Sequence, residues 1–165
     1  MTELKENKSF DYDVALSFAG EDREYVEDVA TFLKDVGIKV FYDKFEADNL
    51  WGKNLYDHLQ DIYKNKANYT ILFISEHYKK KTWTTHERES AQARAFEESR
   101  EYILPVKFDD TEIPGIQSTV GYLNSKEYSP IDISKKFIKK IGFEANKRWW
   151  GKWERDNIIL SNNGD

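Results

Sequence analysis

Short apolar segments alternate with amphipathic segments along the chain, and this alternation constrains the fold more than any other feature. Tyr69–Ser75 is the most apolar of these segments, with β-branched and aromatic residues throughout, as in a strand covered on both faces. Strands that alternate with helices form a mostly parallel sheet with helices on both faces. We therefore predict an α/β fold with about five parallel strands. The predicted strands are Phe10–Phe18, Ile38–Tyr42, Tyr69–Ser75, Tyr102–Val106 and a short one at Tyr122–Leu123.

Apolar residues at spacings of three and four predict helices between the strands. The first helix is predicted over about 21–36, and the second follows a loop at Asp43–Gly52. The third is predicted over about 84–100, after a lysine-rich turn at Lys79–Lys81, and the last follows Pro130. Pro105 places the fourth strand at or near an edge of the sheet, because proline cannot donate to a central ladder. The buried stripe is predicted to be Leu55, Leu59, Ile62 and Tyr63 in the second helix, and Ile133, Phe137, Ile138 and Ile141 in the last.

The composition excludes several classes of protein. With 165 residues and no cysteine, the chain has the size of one domain and contains no disulfide, thiolate metal site or cysteine nucleophile. Its apolar runs are far shorter than the roughly 18 residues of a transmembrane helix. The charged start lacks the apolar stretch of a secretory signal, so we expect a cytoplasmic protein without membrane contact. We divide the chain into a polar leader (1–9), a domain (10–142) and a basic, tryptophan-containing extension (143–165).

The net charge of −5 hides an uneven distribution. Eight basic and two acidic residues between Lys135 and Arg155 give +6, which leaves −11 for the rest. An acidic body and a basic C-terminal segment favour head-to-tail association between copies. Removing the residues after Gly142 should then change the salt dependence of assembly. Basic residues interleaved with tryptophans also suit nucleic acids. We favour instead a solvated lysine face, with the tryptophans packed on the domain or on a neighbouring copy.

In an open parallel sheet the ligand site lies beyond the carboxyl ends of the strands. No G-x-G-x-x-G or G-x-x-x-x-G-K-[ST] motif is present, and no G-x-S-x-G supports a serine nucleophile. The three histidines do not have metal-ligand spacing, so we expect no metal. The segments that remain as candidates are Ser17–Glu21, Asp43–Lys53, Ser75–Glu87 and Lys107–Thr111.

Trp83 and Glu87 are the most specific pair in these segments. Their spacing of four places an indole and a carboxylate on one helix face at the ligand end of the sheet. In the structural interpretation, Glu87 is an acid favoured by the helix dipole and Trp83 packs in the core. In the functional interpretation, the pair suits a cationic ring on a sugar whose bond breaks through an oxocarbenium-like state.

Four motifs in this order resemble Toll/interleukin-1 receptor (TIR) domains. They are FDYDVALSFAGED at Phe10–Asp22, VFYD at Val40–Asp43, W-x-x-x-E at Trp83–Glu87 and YILPV at Tyr102–Val106. The resemblance covers about 10–141 and is greatest to prokaryotic TIR proteins of the catalytic type, including those of Thoeris-type antiphage defence.

The resemblance implies a flavodoxin-like sheet and cleavage of NAD at its nicotinamide–ribose bond, with linear or cyclic ADP-ribose as product. Glu87 matches the catalytic glutamate, which would hold ribose hydroxyls and stabilise positive charge at the anomeric carbon. Trp83, Phe18 and Ala19 match positions that line the pocket, and Phe18 is a candidate to stack on nicotinamide. Core packing is an equally good interpretation of Phe18. NAD would be the substrate, with no cofactor, and the product would serve as an immune signal or its formation would deplete NAD.

The segment Asp43–Lys53 corresponds to the BB loop of this family, which gates the site and contacts other protomers. Here it is slightly longer than the commonest bacterial form and carries an additional indole at Trp51. We include Asp43 and Trp51 among the residues expected to contact NAD. The family also implies TIR–TIR association and a separate effector that senses the product.

Two other functions share this type of sheet. A non-catalytic TIR adaptor would act through association alone, and the Trp83–Glu87 pair argues against it. A phospho-receiver would need an aspartate after the third strand, where this chain has Ser75, and paired acids after the first. Lys107 is the one element in favour of the receiver.

Overall fold

A computed structural model of the protein describes residues 10–82, 102–116 and 119–142. Five parallel strands form one sheet in the order β2-β1-β3-β4-β5, as in flavodoxin-like folds. The predicted fold class is therefore confirmed. The strands are β1 (Tyr12–Ser17), β2 (Val40–Phe41), β3 (Ala67–Ile74), β4 (Ile103–Lys107) and β5 (Leu123–Asn124).

Helices lie between β1 and β2 and between β2 and β3, and one further helix follows each of β3 and β5. None of those in the described residues is long and apolar enough to cross a bilayer. The helices are α1 (Arg23–Asp35), α2 (Ala47–Leu50), α3 (Leu55–Asp61), α4 (Glu76–Thr82) and α5 (Pro130–Ile141), with 3₁₀ turns at Gly20–Asp22 and Asp43–Glu46 and a π-helical turn at Ile62–Lys66.

The core lies on both faces of the sheet because successive residues of a strand point to opposite sides. On one face, Val14 and Leu16 of β1 pack with α1 and α5. On the other, Ala15 packs with Phe41 and Ile62. The predicted stripe of the last helix is confirmed: Ile133, Phe137 and Ile138 are buried, and Ile141 is partly buried against the same cluster.

The segment after β2 differs from its prediction. Residues 43–50 were expected to form a loop, but they form the 3₁₀ turn Asp43–Glu46 followed by α2. This turn is held to α1 by an ion pair between Lys44 and Glu27 and by the Lys34 ammonium, which lies 4.4 Å from the Phe45 ring centroid. Because these contacts join residues distant in sequence, local pattern does not reveal them.

Two smaller predictions on helices were wrong. Leu55 is 51% exposed, since it is the first residue of the short helix α3 and the buried contacts begin later, at Leu59 and Ile62. Lys79–Lys81 is not a turn but the end of α4, where cations favourably meet the carboxyl end of the helix dipole. The helix predicted over 84–100 lies outside the described residues.

Pro105 is accommodated next to a short edge strand, as its residue type predicted. β4 lies between β3 and β5, and Pro105 pairs in register with Leu72 of β3. The pairing with β5 begins only at Val106, so no β5 residue stands opposite the proline.

Candidate active site at the carboxyl edge of the sheet

The strand order predicts a ligand-binding crevice at the carboxyl ends of β1 and β3. β2 lies on one side of β1 and β3 on the other, so the direction of winding reverses between β1 and β3. Ligands of open α/β sheets bind at such a point. The predicted site residues Phe18 and Ala19 follow β1 directly. Trp83 and Glu87, which come after α4 in the sequence, lie outside the described residues.

Phe18 is half-buried at this edge, and two neighbours set the orientation of its ring. The Tyr42 ring stacks on it with centroids 5.7 Å apart and 23° between the planes. The guanidinium of Arg23 lies 5.0 Å from the Phe18 ring centroid and 5.6 Å from that of Tyr42. Aromatic stacking and cation–π attraction both favour this arrangement. The Phe18 ring is therefore held by residues next to β2 and by the first residue of α1.

Asp43, the first residue after Tyr42, is held by the same arginine. Arg23 Nη1 donates to Asp43 Oδ1 at 2.8 Å, and Arg23 Nη2 donates to Asp43 Oδ2 at 2.7 Å. Nη1 also donates to the Tyr42 hydroxyl at 2.8 Å. The backbone N–H of Lys44 adds a third hydrogen bond to Oδ1, also at 2.8 Å. Such a two-pronged contact fixes orientation as well as distance.

The contact between Arg23 and Asp43 shifts the pKa of both residues. Burial acts to raise the pKa of Asp43, but the hydrogen bonds and positive charge of Arg23 outweigh it, so the pKa lies below the ordinary carboxyl value. Hydrogen bonds to Asp43 are the main cause of the raised pKa of Arg23. A carboxylate has about four acceptor positions, and donors among the described residues use three of those of Asp43. With 38% of its side chain exposed, Asp43 has one position that these residues leave for an external donor.

A group of buried hydroxyls lies beneath the crevice. Ser17 Oγ, at the end of β1, is 2.9 Å from the Tyr78 hydroxyl, and both residues are buried. The Tyr63 hydroxyl also hydrogen-bonds to Ser17, and burial raises the pKa of Tyr63 to about 12. The Tyr63 phenol is therefore neutral at physiological pH. The hydroxyls of Tyr78 and Tyr63 join β1 to α4 and to the π-helical turn.

Ser75 connects the end of β3 to the start of α1. Its Oγ donates to Asp22 Oδ2 and accepts from the backbone N–H of Tyr78 at 3.1 Å. The backbone N–H of Glu76 donates to Asp109 Oδ2 at 2.9 Å, which connects the segments after β3 and β4. The loops at this edge are thus joined by named hydrogen bonds.

The other two predicted residues have different environments. Ala19 is 3% exposed and packs with Leu72, Tyr78 and Ile113, so its side chain belongs to the core beneath the crevice. Trp51 follows α2, and its side chain is 89% exposed. With so little surface covered, its indole does not pack on the cluster formed by Phe18, Tyr42, Arg23 and Asp43. The structure brings Phe18 and Asp43 together through Arg23 and leaves Trp51 in solvent.

Sequence reasoning missed Arg23, although the sequence contains a signal for it. A cation at the first position of a helix opposes the helix dipole. Such a residue needs a specific anionic partner, and Asp43 is that partner. Tyr78 carries a similar signal, because it is an aromatic residue between charged and polar ones in α4 and is nevertheless buried.

Comparison with known proteins bears on what such a site does. The family model of the TIR domain matches residues 14–142. The 3′ cyclic ADP-D-ribose synthase AaTIR of Aquimarina amphilecti is 59% identical over 148 residues, which are 88% of this chain and 45% of that protein. The 2′ cyclic ADP-D-ribose synthase BtTIR of Bacteroides thetaiotaomicron is 36% identical over 58% of this chain and 32% of that protein.

A third relative is named as a hydrolase rather than as a cyclic ADP-D-ribose synthase. The NAD(+) hydrolase TcpC of Escherichia coli O6:H1 is 29% identical over 62% of this chain and 33% of that protein. The matched region spans less than half the length of each of these three relatives.

Proposed function

The chain belongs to the TIR domain family, and from that premise we propose that it breaks the bond between nicotinamide and ribose in NAD. The observation that carries the proposal is the 59% identity to a 3′ cyclic ADP-D-ribose synthase over 88% of this chain. NAD is the substrate in this proposal, and no metal or other cofactor takes part. The products are nicotinamide and ADP-ribose, linear or cyclic.

The proposed chemistry needs an anion and an aromatic surface more than a general acid. The C–N bond breaks, its electron pair goes to the ring nitrogen, and nicotinamide leaves neutral while positive charge develops on the ribose. We propose that Glu87 holds the ribose hydroxyls and stabilises this charge, and that Trp83 lines the same pocket. Attack by water gives linear ADP-ribose, whereas attack by another atom of the same molecule gives the cyclic form.

Residues at the carboxyl edge complete the proposed site. Phe18 stacks on the nicotinamide ring, since it is half-buried where β1 ends. Asp43 accepts a hydrogen bond from NAD through its remaining position, and Ala19 shapes the floor of the pocket. Trp51 contacts NAD only if the exposed segment around it moves towards the crevice.

Release of nicotinamide from NAD by the purified protein tests the proposal. We expect release by the wild type at high protein concentration and its loss in both Glu87→Ala and Glu87→Gln. Glu127→Gln is the matched control, because Glu127 is an exposed carboxylate in the turn before α5. A wild type that assembles but releases no nicotinamide would instead support the alternative of a non-catalytic adaptor.

The form of the second product is resolved in the same reaction by mass spectrometry, because linear ADP-ribose is heavier than the cyclic form by one water. We propose the cyclic product, in keeping with the name of the relative that is 59% identical. A product that contains the additional water would overturn this part of the proposal and leave NAD cleavage intact.

We also propose a setting for this reaction. The protein acts in the cytoplasm, its product or the loss of NAD is a signal in antiphage defence, and a separate effector senses the product. Copies associate through the segment after β2, where Trp51, Phe45 and Leu55 expose apolar surface. Neither a membrane nor a nucleic acid takes part.

A further inference from the structure

We propose that Arg23 is a positioning residue for NAD cleavage, which holds Phe18 and Asp43 in the orientation that the substrate requires. This kinetic role rests on the proposed function. In this role Arg23 need not contact NAD, because three of its five N–H donors bind Asp43 and Tyr42 and so act on the orientation of those residues.

The contacts of Arg23 join three separate elements at one point. It is the first residue of α1, its guanidinium faces the Phe18 ring that follows β1, and its hydrogen bonds reach Tyr42 and Asp43 after β2. Tyr42 is fully buried and cannot shift easily. The arginine therefore fixes two half-buried groups, Phe18 and Asp43, against a rigid neighbour.

The geometry of the contact requires arginine rather than any cation. Two parallel hydrogen bonds to Asp43 use the planar fork of the guanidinium, whose central carbon lies 5.0 Å from the Phe18 ring centroid. A lysine ammonium can supply charge but not this fork. Misplaced substrate-binding groups lower kcat/KM, and a displacement of about 1 Å can cost roughly a hundredfold.

A neighbouring ion pair provides a control. Lys44 follows Asp43 directly and pairs with Glu27 of α1 at 3.2 Å. This pair also connects α1 to the segment after β2, but the Lys44 side chain is 55% exposed. Its partner atom, Glu27 Oε1, also accepts a hydrogen bond from the Tyr42 hydroxyl at 3.3 Å, and this bond does not involve Lys44. Lys44→Gln removes an ion pair between the same two elements and leaves the contacts of Arg23 in place.

The first test is the steady-state kinetics of nicotinamide release. We expect Arg23→Gln to raise KM for NAD at least about tenfold with a smaller change in kcat, because misplaced binding groups weaken substrate binding. Arg23→Lys should recover KM only in part, and Lys44→Gln should keep KM within about twofold of the wild type. A purely structural role would reduce the fraction of active protein, which lowers the apparent kcat and leaves KM unchanged.

The second test does not depend on activity. Fluorine-labelled phenylalanine at position 18 reports the surroundings of the ring by ¹⁹F NMR. Arg23→Gln should shift this resonance, and Lys44→Gln should leave it where the wild type has it. Asp43→Asn should shift it in the same direction as Arg23→Gln, because the guanidinium then loses its anchor.

The outcomes separate the two proposals. A folded Arg23→Gln variant with wild-type KM, or with an unchanged Phe18 resonance, would overturn the role of Arg23. Absence of nicotinamide release from the wild type would overturn the proposed function, and the fluorine resonance would then still decide whether Arg23 holds the Phe18 ring.

Discussion

The neighbours of Asp43 determine the pKa of this carboxylate at the candidate site. Its pKa is lowered in the folded protein, mainly because Arg23 outweighs the effect of burial. A carboxyl whose folded pKa is lowered stabilises the fold above its unfolded pKa, about 3.9 for aspartate. That contribution is lost as the pH falls through the lower, folded value.

Asp43→Asn is therefore expected to destabilise the protein by about 1 kcal/mol at neutral pH, a value reduced for partial exposure. The difference from the wild type should shrink as the solution is acidified below the unfolded pKa. Urea unfolding at neutral pH and at about pH 3 measures both quantities. Asp28→Asn, an exposed carboxyl elsewhere on α1, serves as the control and should change little at either pH. A difference that does not depend on pH would contradict the assignment.

The sequence predicted which residue types gather at this edge but not how they are held. Phe18 and Asp43 were expected at the site because the resemblance to TIR domains matches Phe18 to the pocket and Asp43 to the BB loop. In the structure each lies just beyond the end of a strand, Phe18 after β1 and Asp43 after β2. Arg23 was not expected, since its contacts span 19 and 20 positions and depend on how α1 packs. The exposure of Trp51 also could not be predicted from the local sequence, because it depends on how the elements of the fold pack.

At the scale of elements, α5 is the helix whose ends are most clearly defined. Ser129 Oγ accepts from the backbone N–H of Asp132, and the Asp132 carboxylate accepts from the backbone N–H of Ser129. These reciprocal bonds form a capping box, followed by Pro130 at the first turn. Gly142, with φ of 62°, ends the helix in the left-handed region.

Removing the cap should weaken this helix and with it the face of the core that it covers. We expect Ser129→Ala to lower the free energy of unfolding by about 1 kcal/mol. Ser129→Asp retains a capping oxygen and should stay within a few tenths of a kcal/mol of the wild type. Denaturant midpoints of the three proteins decide the matter, and equal midpoints for Ser129→Ala and the wild type would show that the cap is unimportant.

Elements with a strong intrinsic pattern were predicted best. β3 and α5 appear where apolar periodicity placed them, and only their ends differ by one or two residues. The segment after β2 was predicted least well, because Lys34, Lys44 and Phe45 stabilise its turns through contacts with α1. Local propensity there is outweighed by tertiary structure.

At the scale of the whole molecule, apolar exposure is concentrated after β2 among the described residues. Trp51, Phe45 and Leu55 are exposed there. Tyr122 lies at the opposite edge of the sheet, before β5, and Ile131 is exposed on α5. If copies associate through the first group, Trp51→Ser should reduce the association measured by sedimentation velocity over a concentration series. Tyr122→Ser, which removes a half-exposed aromatic from the other edge, should leave association unchanged. Equal behaviour of the two variants would count against this interface.

The division into a domain at 10–142 and an extension at 143–165 stays a prediction. The matched family region, 14–142, ends where α5 does. Residues 143–165, including Trp149, Trp150 and Trp153, lie outside the described residues. The charge asymmetry between body and extension is a property of the sequence alone.

The two outermost strands restrict how copies of this domain can assemble. β2 and β5 each contain only two residues, so each edge of the sheet offers a very short row of unpaired backbone groups. A continuous ladder of hydrogen bonds from one molecule to the next would have little to build on. We therefore expect an ordered array of this domain to be joined by side chains on its surfaces, so that single substitutions can dissolve it without unfolding the molecules that compose it.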